Sequence, residues 1–593
     1  MSDYSFPDGH YFSVIGNIRI GAGGQTRMAL LRHRLIQTHA NIAIPMVTFN
    51  PVPSYEPIRE NLLTEGLLLP SSQIINMHEW LRHHPYGEDL GRVPAQPEES
   101  FTVDETYDGT GSGTVWRIFV KGAHSGEDHW DYLRPDGTRY LRTPADSMLG
   151  TTLVLDEQER VVADLDGLGD LWRWWMTELL PADGPVFLIS DSRFIAFELG
   201  MLNNPRVHVL HQVHNPHQGG QRRWNSPVSA SYEQSMNSIS DLDALSVLTE
   251  RQRHDIELFY GDRKNIVVIP NPSEPIIAPT PLPQRTHGRI VMVARLESQK
   301  RIERAISAFA IVAAKNAVAH LDIYGDGPDR AELDRQILES GLTDRITLHG
   351  HTPNAADQFW TADLGWLTSA FEGYCLALLE ARLRACPFVA FDVPYGPSEQ
   401  INSGVDGVLV PNGDVERFAE ETLALLADPE RLEAMREPAR QGALEHGFED
   451  HLNRWADACA LAQVQKSSRT HIEFARLSDL TLRLAGTHPR LTAVITVAGT
   501  GDRSALNVRW QMWVAESPAP VDLPVEFNLE GDEIHISGLG VARDLPFAAD
   551  DPHVTGRLLI EWQNSTHSID LTRKPSPSKV KQFALKVRNR LRD

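Results

Sequence analysis

Two glutamates, Glu372 and Glu380, flank the mostly apolar run GYCLALL in the stretch TSAFEGYCLALLEARLRACPFVAFD, residues 368–392. An ionised carboxylate only accepts hydrogen bonds, so a glutamate in the loop after a strand suits the hydroxyls of a polyol. Glu380 lies about two helical turns further on, among Leu and Ala, where a carboxylate must find donors or bear its own desolvation. A ribose diol offers two donors. For the helix alone, a solvent-facing Glu380 paired with Arg384 at i, i+4 is the simpler reading.

Other residues of chemical interest come before these. Arg295 ends the strand IVMVA, and Lys300 follows at the start of the next helix. Two cations at the carboxyl edge of neighbouring strand–helix units suit a diphosphate, the guanidinium as a fork and the ammonium as a point charge. The glycines of IYGDGP permit close backbone approach, and the group together describes a nucleotide-diphosphate pocket. Gly21, Gly23 and Gly24 of GAGGQTRMALLRHRL precede a helix, in a loop able to meet phosphate or acceptor through its amides, or simply to turn tightly. His208, His211, His214 and His217 recur at three-residue intervals in RVHVLHQVHNPHQGG. That segment begins as a strand, where this spacing does not keep side chains on one face, so a metal cluster is set aside.

Positioning these groups requires strands that end at one edge. From residue 288 the pattern is strand, turn and helix in repetition: RIVMVA, HLDIY, RITLHG and DLGWLTS alternate with helices, including one near NAADQFW. Continuous apolar strands alternating with helices predict a parallel sheet covered on both faces. YFSVIG, VFLISD, RVHVLHQVH, ALSVLTE and NIVVIPNP have the same style upstream, interrupted by alternating strands and turns such as PDGT. The domain reading is therefore 1–94 with 166–271 as an N-terminal Rossmann-like domain and 95–165 as an inserted antiparallel β element. A second Rossmann-like domain with closing helices takes 272–470, and a β-rich C-terminal domain 471–572. The remainder, 573–593, is a basic amphipathic tail with eight Lys or Arg and no acid over residues 573–592.

The chain of 593 residues is too long for one core. Its 41% hydrophobic and 23% charged residues are those of an ordinary globular protein. A net charge of −23 argues against nucleic acid as a partner. Three cysteines, Cys375, Cys386 and Cys459, without metal-type spacing suit a reducing compartment, and no basic leader with an apolar core opens the sequence. A cytoplasmic protein is expected, with the tail as a means of peripheral contact with an anionic membrane or a polyanionic acceptor.

The ordered series VARLESQKRI, IYGDGPDRAEL, FEGYCLALLEA and VPYGPSEQINSGVDGVLVPNGD resembles the donor-binding half of the family four retaining glycosyltransferases. That resemblance implies the GT-B fold, two facing Rossmann-like domains, over an α/β chain. It implies that Arg295 and Lys300, with Gly23, Gly24 and Gly373, meet the donor diphosphate, that Glu372 holds the donor sugar and that Glu380 holds the ribose. It places a histidine at the end of the RVHVLHQVH strand beside the sugar, His214 first and His211 second. Cys386 departs from the family, which commonly has glycine before that proline. The inserted β element is similar to that of the bacterial subgroup containing wall teichoic acid α-N-acetylglucosaminyltransferases and the enzyme that starts glycosylation of serine-rich adhesins. This implies a UDP-sugar donor, an anionic polymer or glycan acceptor, an α-linked product, catalysis without a metal or other cofactor, and a homo-oligomer, a trimer by that likeness. The competing readings are a protein Ser/Thr O-glycosyltransferase and a catalytically silent GT-B chaperone or glycan-binding protein.

Overall fold

The computed structural model describes residues 4–19, 21, 23–84, 86, 90, 101–107, 115–121, 128–145, 148–468, 471–483, 490–500, 506–530, 532–539, 545, 554–562 and 565–571. The tail assigned to 573–593 and residues 95–100 of the insertion lie outside them.

The N-terminal sheet has seven parallel strands. In spatial order they are Ile266–Val268, Ala244–Val247, Val207–Gln212, Val186–Ser190, His10–Val14, Met46–Thr48 and Ile74–Asn76. Strand order reverses between His10–Val14 and Val186–Ser190, which pair in register from His10↔Val186 to Val14↔Ser190. VFLIS and VHVLHQ are buried at every position, as strands covered on both faces must be. The helix Gly24–His39 closes one face by burying Ala29, Leu30, Leu35 and Ile36.

The second sheet has six parallel strands in the order Ile346–Gly350, His320–Tyr324, Arg289–Val293, Leu364–Leu367, Phe388–Asp392 and Gly407–Pro411. Its order reverses between Arg289–Val293 and Leu364–Leu367. In open α/β sheets ligands collect outside the carboxyl ends of the strands at such a reversal. NAADQFW forms a short 3-10 helix, Ala355–Trp360.

The insertion is a six-stranded antiparallel meander from Phe101–Tyr107 to Val161–Asp166. The predicted PDGT turn joins His129–Leu133 to Arg139–Pro144, with Gly137 at φ +88° and the Thr138 amide donating to Asp136 at 2.9 Å. Trp116, Tyr132 and Tyr140 are buried, and the Tyr140 hydroxyl lies 3.2 Å from His78 Nδ1, on the helix that leads into the insertion.

Two assignments change. The closing helix Phe448–Ser468, placed with 272–470, packs on the N-terminal domain: Leu452, Trp455, Ala458, Cys459 and Ala462 share a core with Tyr11, Leu35, Ile36, Phe187 and Leu210. The chain thus crosses between the Rossmann-like domains twice. The crossings lie side by side, with the Ser273 amide donating to the His446 carbonyl at 2.9 Å and Ser273 bridging to Gly447. Secondly, 218–230 and 253–265, read as parts of the N-terminal domain, belong to a separate compact unit with the described residues from 465 onward.

That unit holds two four-stranded antiparallel sheets, whose buried Ile495, Ile536, Val508, Trp510 and Leu558 form one core. Trp224 and Arg557 explain why the upstream segments join it. The Trp224 indole donates to the Ser517 carbonyl at 2.7 Å, and the Arg557 guanidinium spans from Gln511 to the Leu258 carbonyl beneath Phe259.

Candidate active site

Lys300 and Glu372 lie on the two sides of the strand-order reversal in the second sheet. Lys300 follows Arg289–Val293, and Glu372 follows Leu364–Leu367. The structure brings them together: Lys300 Nζ donates to Glu372 Oε1 at 2.7 Å, and Ser369 Oγ donates to the same oxygen at 2.6 Å. Their side chains are 17% and 6% exposed. Burial opposes the Lys300 ammonium, but Glu372 beside it more than offsets this and holds its pKa above the ordinary value. The loop is tied at its base, with Gln299 Nε2 donating to the Phe371 carbonyl at 3.0 Å and Thr368 Oγ1 to the Lys300 carbonyl at 3.1 Å.

Arg295 behaves differently. Its side chain is 66% exposed, with Glu297 at 2.6 Å as ion-pair partner. Glu380 sits on the helix Leu376–Leu383, and burial raises its pKa against the opposing charges of Arg27 and Arg384. The i, i+4 pair expected from the helix alone is not what forms. The Arg384 guanidinium instead engages Asp357 at 2.8 Å and the Glu380 backbone carbonyl at 2.8 Å. The carboxylate is therefore left without a guanidinium partner at hydrogen-bond distance among the described residues.

The N-terminal domain contributes from its own strand-order reversal. Asp191 directly follows Val186–Ser190. His214, two residues past Val207–Gln212, meets it with Nε2 at 2.7 Å from Asp191 Oδ1. Arg32, reaching in from the helix Gly24–His39, pairs with both Asp191 oxygens, at 3.1 Å to Oδ1 and closer still to Oδ2. Burial alone would raise the Asp191 pKa, and Arg32 with His214 instead brings it down to about 2. His211, the second choice, is 1% exposed, with Nδ1 2.9 Å from the Ser190 carbonyl and its pKa pushed down to about 4 by burial. His208 and His217 are also buried, the latter with its pKa pushed down to about 3 for the same reason.

The glycines divide by what they approach. A Cβ on Gly373 would lie 1.8 Å from the His214 carbonyl oxygen, so this glycine lets the Glu372 loop press against the His214 loop of the facing domain. A Cβ on Gly24 would lie 2.9 Å from Leu376 Cδ1, at the start of the Glu380 helix. Gly23 faces open space. In IYGDGP the close approach is to the protein's own chain, a correction to the sequence reading: a Cβ on Gly325 or Gly327 would collide with the carbonyl of Ala294 or Leu296, at 1.9 and 2.2 Å.

The structure therefore assembles Lys300, Glu372, Gly373 and His214, with Gly24 and Glu380 at the next contact and Arg295 out toward solvent. Sequence reasoning missed Asp191, Arg32 and Ser369. The available signals were an aspartate directly after the apolar strand VFLIS and an arginine on the inward side of ALLRHRLI.

Residues 279–442 match the family model described as Glycosyl transferases group 1. The chain is 27% identical over 317 residues to the poly(glycerol-phosphate) alpha-glucosyltransferase of Bacillus subtilis (strain 168), covering 53% of this chain and 45% of that protein. It is 28% identical over 221 residues to the poly(ribitol-phosphate) alpha-N-acetylglucosaminyltransferase of Staphylococcus aureus (strain COL), covering 37% and 44%. The match thus spans less than half the length of each relative. Among solved structures, the S. aureus TarM G117R mutant in complex with Fondaparinux, alpha-GlcNAc-glycerol and UDP superposes with a TM-score of 0.59 at 20% identity, over 76% of this chain and 100% of that one. This is a likeness of fold, and the fold is GT-B.

Proposed function

We propose that this chain, whose donor-side domain matches the group 1 glycosyl transferases and whose sequence resembles the teichoic acid α-glycosyltransferases, is a retaining glycosyltransferase. It moves a sugar, GlcNAc or glucose, from a UDP-sugar to a hydroxyl of an anionic cell-wall polymer of the poly(glycerol or ribitol phosphate) kind, forming an α linkage. The observation that carries this reading is the meeting of Lys300 with Glu372 at one strand-order reversal, pressed through Gly373 against the His214 loop of the facing domain.

In this reading Lys300 and Arg295 neutralise the diphosphate, and Arg295, 66% exposed and paired with Glu297, swings in with the donor. Glu372 orients the sugar, His214 supports it from the opposite wall, and Glu380 receives the ribose diol that its carboxylate lacks. The leaving diphosphate then needs no divalent cation, because Lys300, the incoming Arg295 and helix N-terminal amides stabilise its charge. Same-face attack, with the leaving phosphate taking the acceptor proton, retains the anomeric configuration and demands no carboxylate nucleophile.

The enzyme works in the cytoplasm as a homotrimer, and residues 573–593 hold it near an anionic membrane or its acceptor by charge. No helix among the described residues is long and apolar enough to cross a membrane. The test is UDP release from a panel of UDP-sugars, with and without poly(glycerol phosphate) and poly(ribitol phosphate). Acceptor-dependent release with an α-linked product by NMR is the expected result. A β linkage, or no release with any pair, overturns the reading.

A further inference from the structure

Asp191 lies at the strand-order reversal of the N-terminal sheet, where an isolated buried carboxylate is expensive. Its side chain is 1% exposed and that of Arg32 is 3% exposed. Arg32 is itself immobilised, with Nη2 3.5 Å from Ser13 Oγ and its guanidinium 4.9 Å from the centre of the Trp455 ring. Gln25 Nε2 donates to the Asp191 carbonyl at 2.6 Å, fixing the backbone as well. A charge pair this enclosed is weak ground for stability, since apolar replacements often serve equally well. It does, however, hold one carboxylate oxygen at a fixed point, and His214 Nε2 is 2.7 Å from it.

An ionised carboxylate has no proton to donate, so the hydrogen atom of this contact belongs to His214 Nε2. In the neutral ring the other nitrogen then carries the lone pair, because the bond made by one nitrogen sets the state of the other. We infer that Asp191 is a positioning residue for His214: clamped by Arg32, it fixes the imidazole as the Nε2–H tautomer and leaves Nδ1 as a hydrogen-bond acceptor for a substrate hydroxyl. His214 therefore meets a hydroxyl proton rather than a phosphate oxygen, which sets its side of the cleft for the sugar or the attacking alcohol. This rests on the transferase reading for its effect on turnover, and on the geometry alone for the tautomer.

The experiment uses the full chain labelled with 15N-histidine, with His214 assigned by its disappearance in His214→Gln. The expected spectrum of the neutral ring has a pyrrole-type Nε2 and a pyridine-type Nδ1. In Asp191→Asn the amide oxygen turns to Arg32 and its NH2 to the ring, so the two nitrogens exchange character. In the same variant kcat for sugar transfer falls on the order of 10²-fold, the effect of a misplaced contact group, while the UDP dissociation constant changes less than about twofold because Lys300, Arg295 and Glu380, the side chains that hold UDP in this reading, lie in the other domain. A pyridine-type Nε2 in the wild type overturns the inference without any variant. So does an Asp191→Asn protein that keeps the wild-type tautomer and kcat. If the wild type turns over no UDP-sugar while its Nε2 carries the proton, the transferase reading fails and the tautomer assignment stands.

Discussion

Replacing Lys300 by alanine removes the ammonium but leaves the Glu372 carboxylate where it is, 6% exposed, with Ser369 as the remaining hydroxyl donor. Deleting one partner of a buried ion pair costs about 3–5 kcal/mol, because the surviving charge is left uncompensated. Lys300 is 17% exposed, so water reaches part of the gap, and the lower end, about 3 kcal/mol, is the appropriate value. Glu372→Gln keeps the shape and removes the charge, so adding it to Lys300→Ala should restore about 2 kcal/mol of that loss, and a double-mutant cycle measures this coupling. Urea unfolding followed by circular dichroism supplies the stabilities, and calorimetric titration supplies the affinity for UDP. Lys300→Ala should weaken UDP at least about 30-fold, the equivalent of about 2 kcal/mol. A cost below about 1 kcal/mol with additive single changes would place the pair with exposed salt bridges and refute the reasoning.

Gly373→Ala would place a Cβ 1.8 Å from the His214 carbonyl oxygen and so force the two loops apart, and kcat should fall on the order of 10²-fold, whereas Gly23→Ala, facing open space, should fold normally; equal activities in steady-state assays would contradict this. Glu380→Ala should weaken UDP binding with little change in kcat, and Glu372→Ala should do the reverse; identical kinetic signatures would remove the division of roles. EDTA should leave transfer intact, and loss of activity rescued by manganese would count against fixed cations as the diphosphate partner. Burial holds the pKa of His33 and His211 at about 4, and of His78, His217 and His451 at about 3. The unfolded chain protonates these from about pH 6.5 downward, so stability should fall as pH drops from about 6.5 toward 4. Asp191, held at about 2, contributes stability that is present above about pH 4 and is lost only as the pH falls toward 2. A urea midpoint unchanged between pH 7.5 and 4.5 would refute the histidine argument.

The placement of Lys300 and Glu372 could be read from the sequence because it follows a local rule: a polar residue just past an apolar strand lands at the sheet edge. Asp191 obeys the same rule, but a single aspartate after a strand is also a common turn former. Its significance lies in Arg32, more than 150 residues away in the chain. The glycines of IYGDGP and Gly373 show the opposite difficulty. Local sequence establishes that something comes close, and only the fold tells whether that is a ligand or another backbone. Segments 218–230 and 253–265 carried no signal of joining the C-terminal sheets, because Trp224 and Phe259 are ordinary loop and helix residues until their distant partners are known.

The paired crossings at Ser273 and His446–Gly447 make the second Rossmann-like domain a topological insertion in the N-terminal one. Its two ends leave and return through neighbouring points, a linkage that resists sliding more than rotation about the line through those points. The Gly373–His214 approach is a second point at which the two domains meet. The same arrangement makes the domain separable. Joining 273 to 447 directly would excise the whole second parallel sheet and still leave Trp455 and its helix seated on the N-terminal core.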